Sequence, residues 1–401
     1  MKFIAILLSV FLITSGTAQH CIDERYGEEA LFDTTQVDTL TNLTYGFSTH
    51  YFTNAEIELK MDVFMPAQDI DPLEQRPFIL MIHGGGFAGG SRAEMNNECF
   101  GYAQRGFVAA TISYRVGWNC DNVICFNCFG SNLQKAIYCA VQDARAAMRF
   151  AYDQKEEWGI DENWMFIGGE SAGSITALLT STWNQEEVNA WAPAGFENEV
   201  GSLDASGNDL PNLYSIKANV NHCGAVMNLA HLDNNLNHPI ISFHDSNDCV
   251  VPYDYGSVIA CFCSGFLSVA GSHQIHLKRM QQGECSELNT VPQVLPNHCQ
   301  FPQNNLVELS SCFLKRVMCG FCMSFQNDDI YAQALCSNLS NTTSEVEGCT
   351  YPQSLNYNPE ATHDDGSCEF SISCVGDLDA DGVVGASDLI LFIAAYGNIC
   401  E

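Results

Sequence analysis

The sequence predicts an α/β protein: a mostly parallel sheet with helices on both faces, followed by small cysteine-bounded modules towards the C-terminus. Three observations carry this reading. Short, continuous apolar runs recur along the first three hundred residues, as expected of strands buried on both faces. Long stretches of helical periodicity separate them. Near Ser337 the composition turns polar and apolar-poor, which marks the end of the α/β body.

The elements follow in order. Leu59 to Met65 alternates and then meets Pro66, a strand ending in a turn. Pro77-Phe-Ile-Leu-Met-Ile82 and Phe107-Val-Ala-Ala-Thr-Ile-Ser113 are continuous apolar runs and read as buried strands. Gln134 to Glu157 is helical, with Ile137, Val141, Ala144, Met148 and Ala151 recurring on one face. Trp164 to Ile167 is a short strand, and Ser174 to Thr182 reads as helix. Pro239 to Phe243 and Thr290 to Leu295 are later strands, the second expected near a sheet edge because of Pro292. Asn305 to Met318 is a late helix.

Charge excludes some partners. The chain carries 16 Lys and Arg against 48 Asp and Glu, a formal charge of −32, so its field repels nucleic-acid backbones and anionic lipid headgroups. At 46% hydrophobic residues it has ample material for a core. The basic start Met1-Lys2, the apolar run Phe3 to Thr14 and small residues through Ala18 predict a secretory signal peptide over 1–18. That run, about 12 residues, is short of the roughly 20 needed to span a bilayer. Twenty cysteines, all beyond Ala18, agree with export to an oxidising compartment, which implies an extracellular protein with structural disulfides. Their connectivity is not readable from sequence.

Four segments carry chemistry. Gly169-Glu170-Ser171-Ala172-Gly173 follows a strand and opens a helix, the context in which a serine is presented on a sharp turn with glycines relieving the crowding. His83-Gly84-Gly85-Gly86-Phe87 follows the strand ending at Ile82, and its backbone N–H groups can point into a cavity as oxyanion donors. A phosphate loop would want Lys-Ser/Thr next, where this chain has Phe87-Ala88. Two acids after the strand 239–243, Asp245 and Asp248, compete to orient a histidine; spacing to Val250-Val251-Pro252 favours Asp248. His273, His276 and His298 all follow the acid. His298 lies between a strand and a helix and is preferred, whereas His273 and His276 open a helical run and read as surface residues. His83 and His244 read as structural hydrogen bonders. The loops 115–133 and 184–215 are expected to shape the acyl and alcohol pockets.

Taken with Gln142-Asp143-Ala-Arg145-Ala-Ala-Met-Arg149-Phe150 and Gly159-Ile-Asp161, these motifs resemble the α/β-hydrolase superfamily over roughly residues 40–320, in its esterase/lipase branch of hormone-sensitive-lipase-like, carboxylesterase and feruloyl-esterase-like enzymes. The resemblance implies Ser171 as nucleophile, Asp248 as acid and His298 as base, with Gly85, Gly86 and Ala172 as oxyanion donors. It implies no cofactor for catalysis. His244-Asp245 stands where the family usually has His-Gly. The expected function is a secreted serine carboxylester hydrolase acting through an acyl-enzyme on small-molecule or polysaccharide-linked esters, acetyl or feruloyl among them. The alternatives are a serine peptidase of the same fold and a catalytically silent binding or adhesion protein.

The domain plan is a catalytic domain over 19–337, a linker over 338–348, a small module over 349–372 and a calcium-binding segment over 373–401. The small module resembles ones found at the ends of secreted marine bacterial proteins. In the last segment Asp377, Asp379, Asp381 and Asp388 fall at loop positions 1, 3, 5 and 12, Gly382 permits the turn at 6, and the Val383 carbonyl supplies position 7. This EF-hand-type loop resembles one half of a type I dockerin, which implies a scaffold or cell-surface partner. Cys374 and Cys400 flank it, a closure suited to a core too small to stand alone. Calcium titrated into the full chain should bind this loop with a Kd of about 10⁻⁴–10⁻³ M by calorimetry. Asp377→Ala/Asp381→Ala should abolish the heat; an unchanged heat in that variant contradicts the ligand set.

Overall fold

The computed structural model describes residues 20–21, 24–118, 130–234, 238–259, 267–293, 295–321 and 323–328, with isolated positions between 336 and 367. The expected signal peptide, the calcium ligands Asp377, Asp379, Asp381, Val383 and Asp388, and most of the expected linker and small module lie outside the described residues. The chain divides into two compact units, Met1–Ser340 and Asn341–Glu401. In the second unit, Glu347–Gly348 pairs in parallel with His363–Asp364.

The first unit is built on a nine-stranded sheet. Strands β1 (Val37–Thr49) and β2 (Glu56–Pro66) form an antiparallel pair, and β2 pairs antiparallel with β4 (Val108–Ile112). From β4 the sheet is parallel, through β3 (Arg76–Ile82), β5 (Ile160–Glu170), β6 (Ile216–His222), β8 (Ile240–Asp245), β11 (Ser286–Val291) and β12 (Phe325–Asn327). The short strands β7 (Ala225–Val226), β9 (Tyr255–Ser257) and β10 (Ser268–Gly271) form a separate small sheet. The order β1-β2-β4-β3-β5-β6-β8-β11-β12 puts β5 at the middle of the sheet.

Helices cover both faces because side chains alternate along each buried strand. Phe78, Leu80 and Ile82 of β3, with Met165 and Ile167 of β5, pack on α2 (Gly130–Asp153) and α4 (Ala172–Thr182). Ile79, Met81 and Phe166, one residue out of step, face α1 (Asn96–Gln104) and α8 (Gln303–Met318) on the other side. The remaining helices are α3 (Lys155–Trp158), α5 (Gln185–Trp191), α6 (Phe196–Val200) and α7 (Ser272–Gln281). Among the described residues no helix is long and apolar enough to cross a membrane.

The sequence reading needs correction in places. The expected strand Thr290 to Leu295 is displaced: β11 ends at Val291, before Pro292, and it lies near the sheet edge as expected, between β8 and the edge strand β12. His276 is buried, not a surface residue, and its Nδ1 lies 2.9 Å from Ser286 Oγ. Strands β1 and β6 and helix α1 were not expected. In β6 the apolar run is broken by Lys217, Asn219 and Asn221, which hides it; Asn221 is buried and donates to Ser242 and Ser272, each at 2.9 Å.

One buried ion pair ties the frame to the site. Arg115 donates to both oxygens of Asp143 on α2, from its backbone N–H at 2.7 Å and its guanidinium at 2.7–3.0 Å. Such a pair costs desolvation but holds a fixed geometry. Here it anchors the segment after β4, where the Gly117 and Trp118 N–H groups donate to the Phe87 carbonyl at 2.8 and 3.0 Å. The glycine loop is thereby braced from behind.

Candidate active site

β5 passes into α4 through a single residue. Ser171 has φ 53° and ψ −117°, a conformation that costs about 1–3 kcal/mol for a residue with a Cβ. The turn can be this sharp because Gly169 and Gly173 let α4 approach the end of β3. A Cβ on Gly169 would lie 2.6 Å from the Ile82 carbonyl oxygen, and one on Gly173 would meet the carbonyls of Ile82 and His83. The Ser171 N–H donates to the His222 carbonyl at the end of β6, 2.9 Å away. The hydroxyl is thus held above the sheet at the N-terminus of α4, where the helix dipole favours negative charge.

His298, on the segment between β11 and α8, reaches this hydroxyl. Its Nε2 lies 2.8 Å from Ser171 Oγ and its Nδ1 2.6 Å from Asp248 Oδ2. A carboxylate only accepts, so Nδ1 carries the proton and Nε2 is left as acceptor for the serine hydroxyl. Asp248 is buried; the Val250 and Val251 N–H groups donate to its other oxygen at 2.8 and 3.0 Å. Burial alone would raise its pKa, but hydrogen bonds from His244 and His298 and their charge outweigh burial and hold the carboxyl below its ordinary 3.8.

The other candidates fall elsewhere. Asp245 is buried, accepts from the Gln300 N–H at 2.9 Å, and has its pKa raised by burial. It braces the histidine segment and does not face the imidazole edge that Asp248 occupies. His244 donates to the Val251 carbonyl at 3.0 Å and sits 3.3 Å from Asp248. His83 donates to the Gly84 carbonyl at 2.8 Å and stacks on Tyr114. His273 pairs with Asp254 at 2.6 Å, away from Ser171.

In the glycine loop, Gly85 and Gly86 have φ of 103° and 61°, and a side chain at 85 would meet the Gly89 carbonyl. Gly86 and Ala172 line the same pocket as Ser171. That pocket, about 40 Å³, is otherwise apolar: Trp118, Leu133, Ile137, Ile175, Met227 and Val251 form most of its wall. The segment 184–215, expected to shape a pocket, contributes nothing to this wall; it packs on α2, where Asp204 pairs with Arg145 and Ser206 accepts from Arg149. Val250, Val251, Val258, Ile259 and Leu267 take that place.

A disulfide joins Cys299, next to His298, to Cys223, next to His222. Sequence reasoning missed it because pairing is not readable along the chain, although a cysteine beside the preferred histidine was a signal worth weighing. Cys21–Cys319 and Cys312–Cys336 are further bridges, whereas Cys99 and Cys139 are buried free thiols.

A mostly parallel sheet with a serine elbow, a carboxylate after β8 and a histidine after β11 defines the α/β-hydrolase class of site. A family model described as BD-FAE matches residues 61–239. The cAMP-regulated D2 protein of Dictyostelium discoideum is 32% identical over 148 residues, 36% of this chain and 26% of that one. Gut esterase 1 of Caenorhabditis elegans is 32% identical over 120 residues, 29% of this chain and 20% of that one. The chain thus spans about a quarter or less of these curated relatives. A propionate-bound esterase of Thermogutta terrifontis is similar at TM-score 0.46 and 18% identity, covering 72% of this chain and 96% of that one.

His222 gives a pH test of the site's packing. Burial, then the nearby His244 and His298, push its imidazole from 6.5 down to about 3. The unfolded chain therefore takes up this proton first as pH falls, and the stabilisation from a neutral buried His222 is lost progressively below pH 6.5. His222→Gln lacks that loss. Its destabilisation relative to wild type should shrink by about 1.4 kcal/mol per pH unit between pH 6 and 4 in denaturant titrations. A gap independent of pH contradicts the buried neutral imidazole.

Proposed function

We infer that the chain is a serine carboxylester hydrolase that works through an acyl-enzyme. The single observation that carries this is the His298 imidazole set between Ser171 Oγ at 2.8 Å and Asp248 Oδ2 at 2.6 Å. Ser171 attacks the ester carbonyl while His298 Nε2 takes its proton. Asp248, held ionised, stabilises the imidazolium. The N–H groups of Gly85, Gly86 and Ala172 receive the oxyanion, each donor contributing about 3 kcal/mol to the transition state. His298 then hands its proton to the leaving alcohol, the C–O bond breaks, and water repeats the sequence on the acyl-enzyme. None of these steps calls on a cofactor.

The pocket narrows the acyl group. A single water needs about 10–15 Å³, so about 40 Å³ of apolar space suits a short chain, acetyl to butyryl, better than a feruloyl ring. The acidic surface favours neutral alcohols over anionic ones. Export is supported by the leader-like start and by three described disulfides. The C-terminal modules, with a calcium ion on the loop 377–388, then serve to tether the enzyme to a scaffold or cell-surface partner; polysaccharide acetyl esters are the substrate class that such tethering suits.

Turnover of p-nitrophenyl acetate, butyrate and decanoate and of methyl ferulate tests this reading. Wild type should favour acetate and butyrate, and Ser171→Ala should lose about 10⁶-fold in kcat with its fold intact by circular dichroism. Retained activity in Ser171→Ala contradicts the nucleophile, and a preference for decanoate or ferulate contradicts the acyl pocket.

A further inference from the structure

The catalytic imidazole of the foregoing reading stands on an irregular segment. Residues 292–302 link β11 to α8, and among the described ones there is no helix or strand apart from a single bridge between Asp248 and Asn297. Such a segment opens more readily than the sheet beneath it, yet a base must hold its nitrogen within a fraction of an ångström. Hydrogen bonds fasten the segment along its length: Gln293 N–H to Ser246 Oγ at 3.1 Å, Asn297 N–H to the Asn247 carbonyl at 3.4 Å, and Gln300 N–H to Asp245 at 2.9 Å. The first two partners lie on the turn after β8, exposed to competition from water. Only one tie is covalent, the Cys223–Cys299 disulfide.

Its far end is well chosen. Cys223 is fully buried directly after β6, with φ 48°, and its N–H donates to the Phe243 carbonyl at 2.7 Å. The preceding residue, His222, supplies the carbonyl that receives the Ser171 N–H at 2.9 Å. Base and nucleophile are therefore referenced to one dipeptide, His222-Cys223: the serine through a backbone hydrogen bond, the histidine through the sulfur bridge beside it. We propose that the Cys223–Cys299 disulfide is a positioning element for His298, so that opening it lowers turnover while the fold and substrate binding persist. Cys299 is only partly buried, whereas Cys223 is fully buried.

The proposal rests on the reading of His298 as base, and the experiment separates the two. Cys223→Ala/Cys299→Ala is compared with wild type and with Cys312→Ala/Cys336→Ala, which opens a bridge anchored in α8 and outside the site. The expected result with p-nitrophenyl acetate is a fall in kcat of about 10²-fold for the first variant with KM within about twofold, and no change in kcat for the second. A bridge that only stabilises the fold would lower Tm in both without this split. An unchanged kcat in Cys223→Ala/Cys299→Ala overturns the proposal. Should that variant fail to fold, wild type is treated with a water-soluble trialkylphosphine. The S–S bond takes two electrons and two protons to give two thiols, while phosphine and water become phosphine oxide. Loss of kcat that tracks the free Cys223 and Cys299 thiols by mass spectrometry, and returns on reoxidation, supports the proposal; full activity with both thiols free overturns it. A wild type that turns over no ester defeats the functional reading, and this proposal falls with it.

Discussion

The chain must pass from β5 to α4 in one residue, and the site's layout follows from how that is done. Ser171 accepts a left-handed φ of 53° because Gly169 and Gly173 allow α4 to press against the last carbonyls of β3. A side chain at either glycine would push the helix away and relax the turn. The same closeness brings Gly84 alongside, where a Cβ would lie 3.3 Å from that of Ser171. The glycine loop, the serine and the start of α4 thus form one packed unit, and backbone strain of about 1–3 kcal/mol is held there by the sheet on either side. Arg115 and Asp143 brace the loop from behind, and the His222 carbonyl fixes the serine from below.

Electrostatics act on two scales. Within the site, burial would raise the pKa of Asp248, but the hydrogen bonds and charge of two imidazoles outweigh it and keep the carboxylate ionised, which sets the tautomer of His298. Across the molecule, nine of the 16 basic residues are buried: Arg25, Arg76, Arg105, Arg115, Arg145, Arg149, Arg279, Lys315 and Arg316. Several of them meet acids inside the protein, as Arg25 and Arg76 do at Asp71 and Arg316 does at Glu287. The basic charge is spent on internal joints, and the solvent-facing surface is left acidic. Such a surface repels anions at long range and leaves neutral molecules unaffected.

What the sequence made legible was local. Buried strands such as β3 and β4 announce themselves as unbroken apolar runs, α2 by its periodicity, and the serine turn by glycines whose spacing the packing requires. β6 escaped because its inward-facing Asn219 and Asn221 are satisfied by partners far along the chain, so that a buried strand reads as polar. The end of β11 was misjudged because Pro292 was taken as part of the strand it terminates. Long-range facts were the hardest to see. Spacing to Val250-Val251-Pro252 did single out Asp248 for the imidazole, but neither the bridge from Cys223 to Cys299, 76 residues apart, nor the hold of Asp245 on the histidine segment can be derived from it. Both depend on where β6, β8 and β11 end relative to one another.

The central claim is that one hydroxyl among many is made nucleophilic by its neighbours. Its most direct measurement is exposure of the native chain to a fluorophosphonate, followed by tandem mass spectrometry of its peptides, for wild type and for His298→Ala. The account predicts one phosphonyl group per chain, on Ser171, and loss of the adduct when the imidazole is removed. A wild-type chain that stays unlabelled, or labels at another serine, would contradict it.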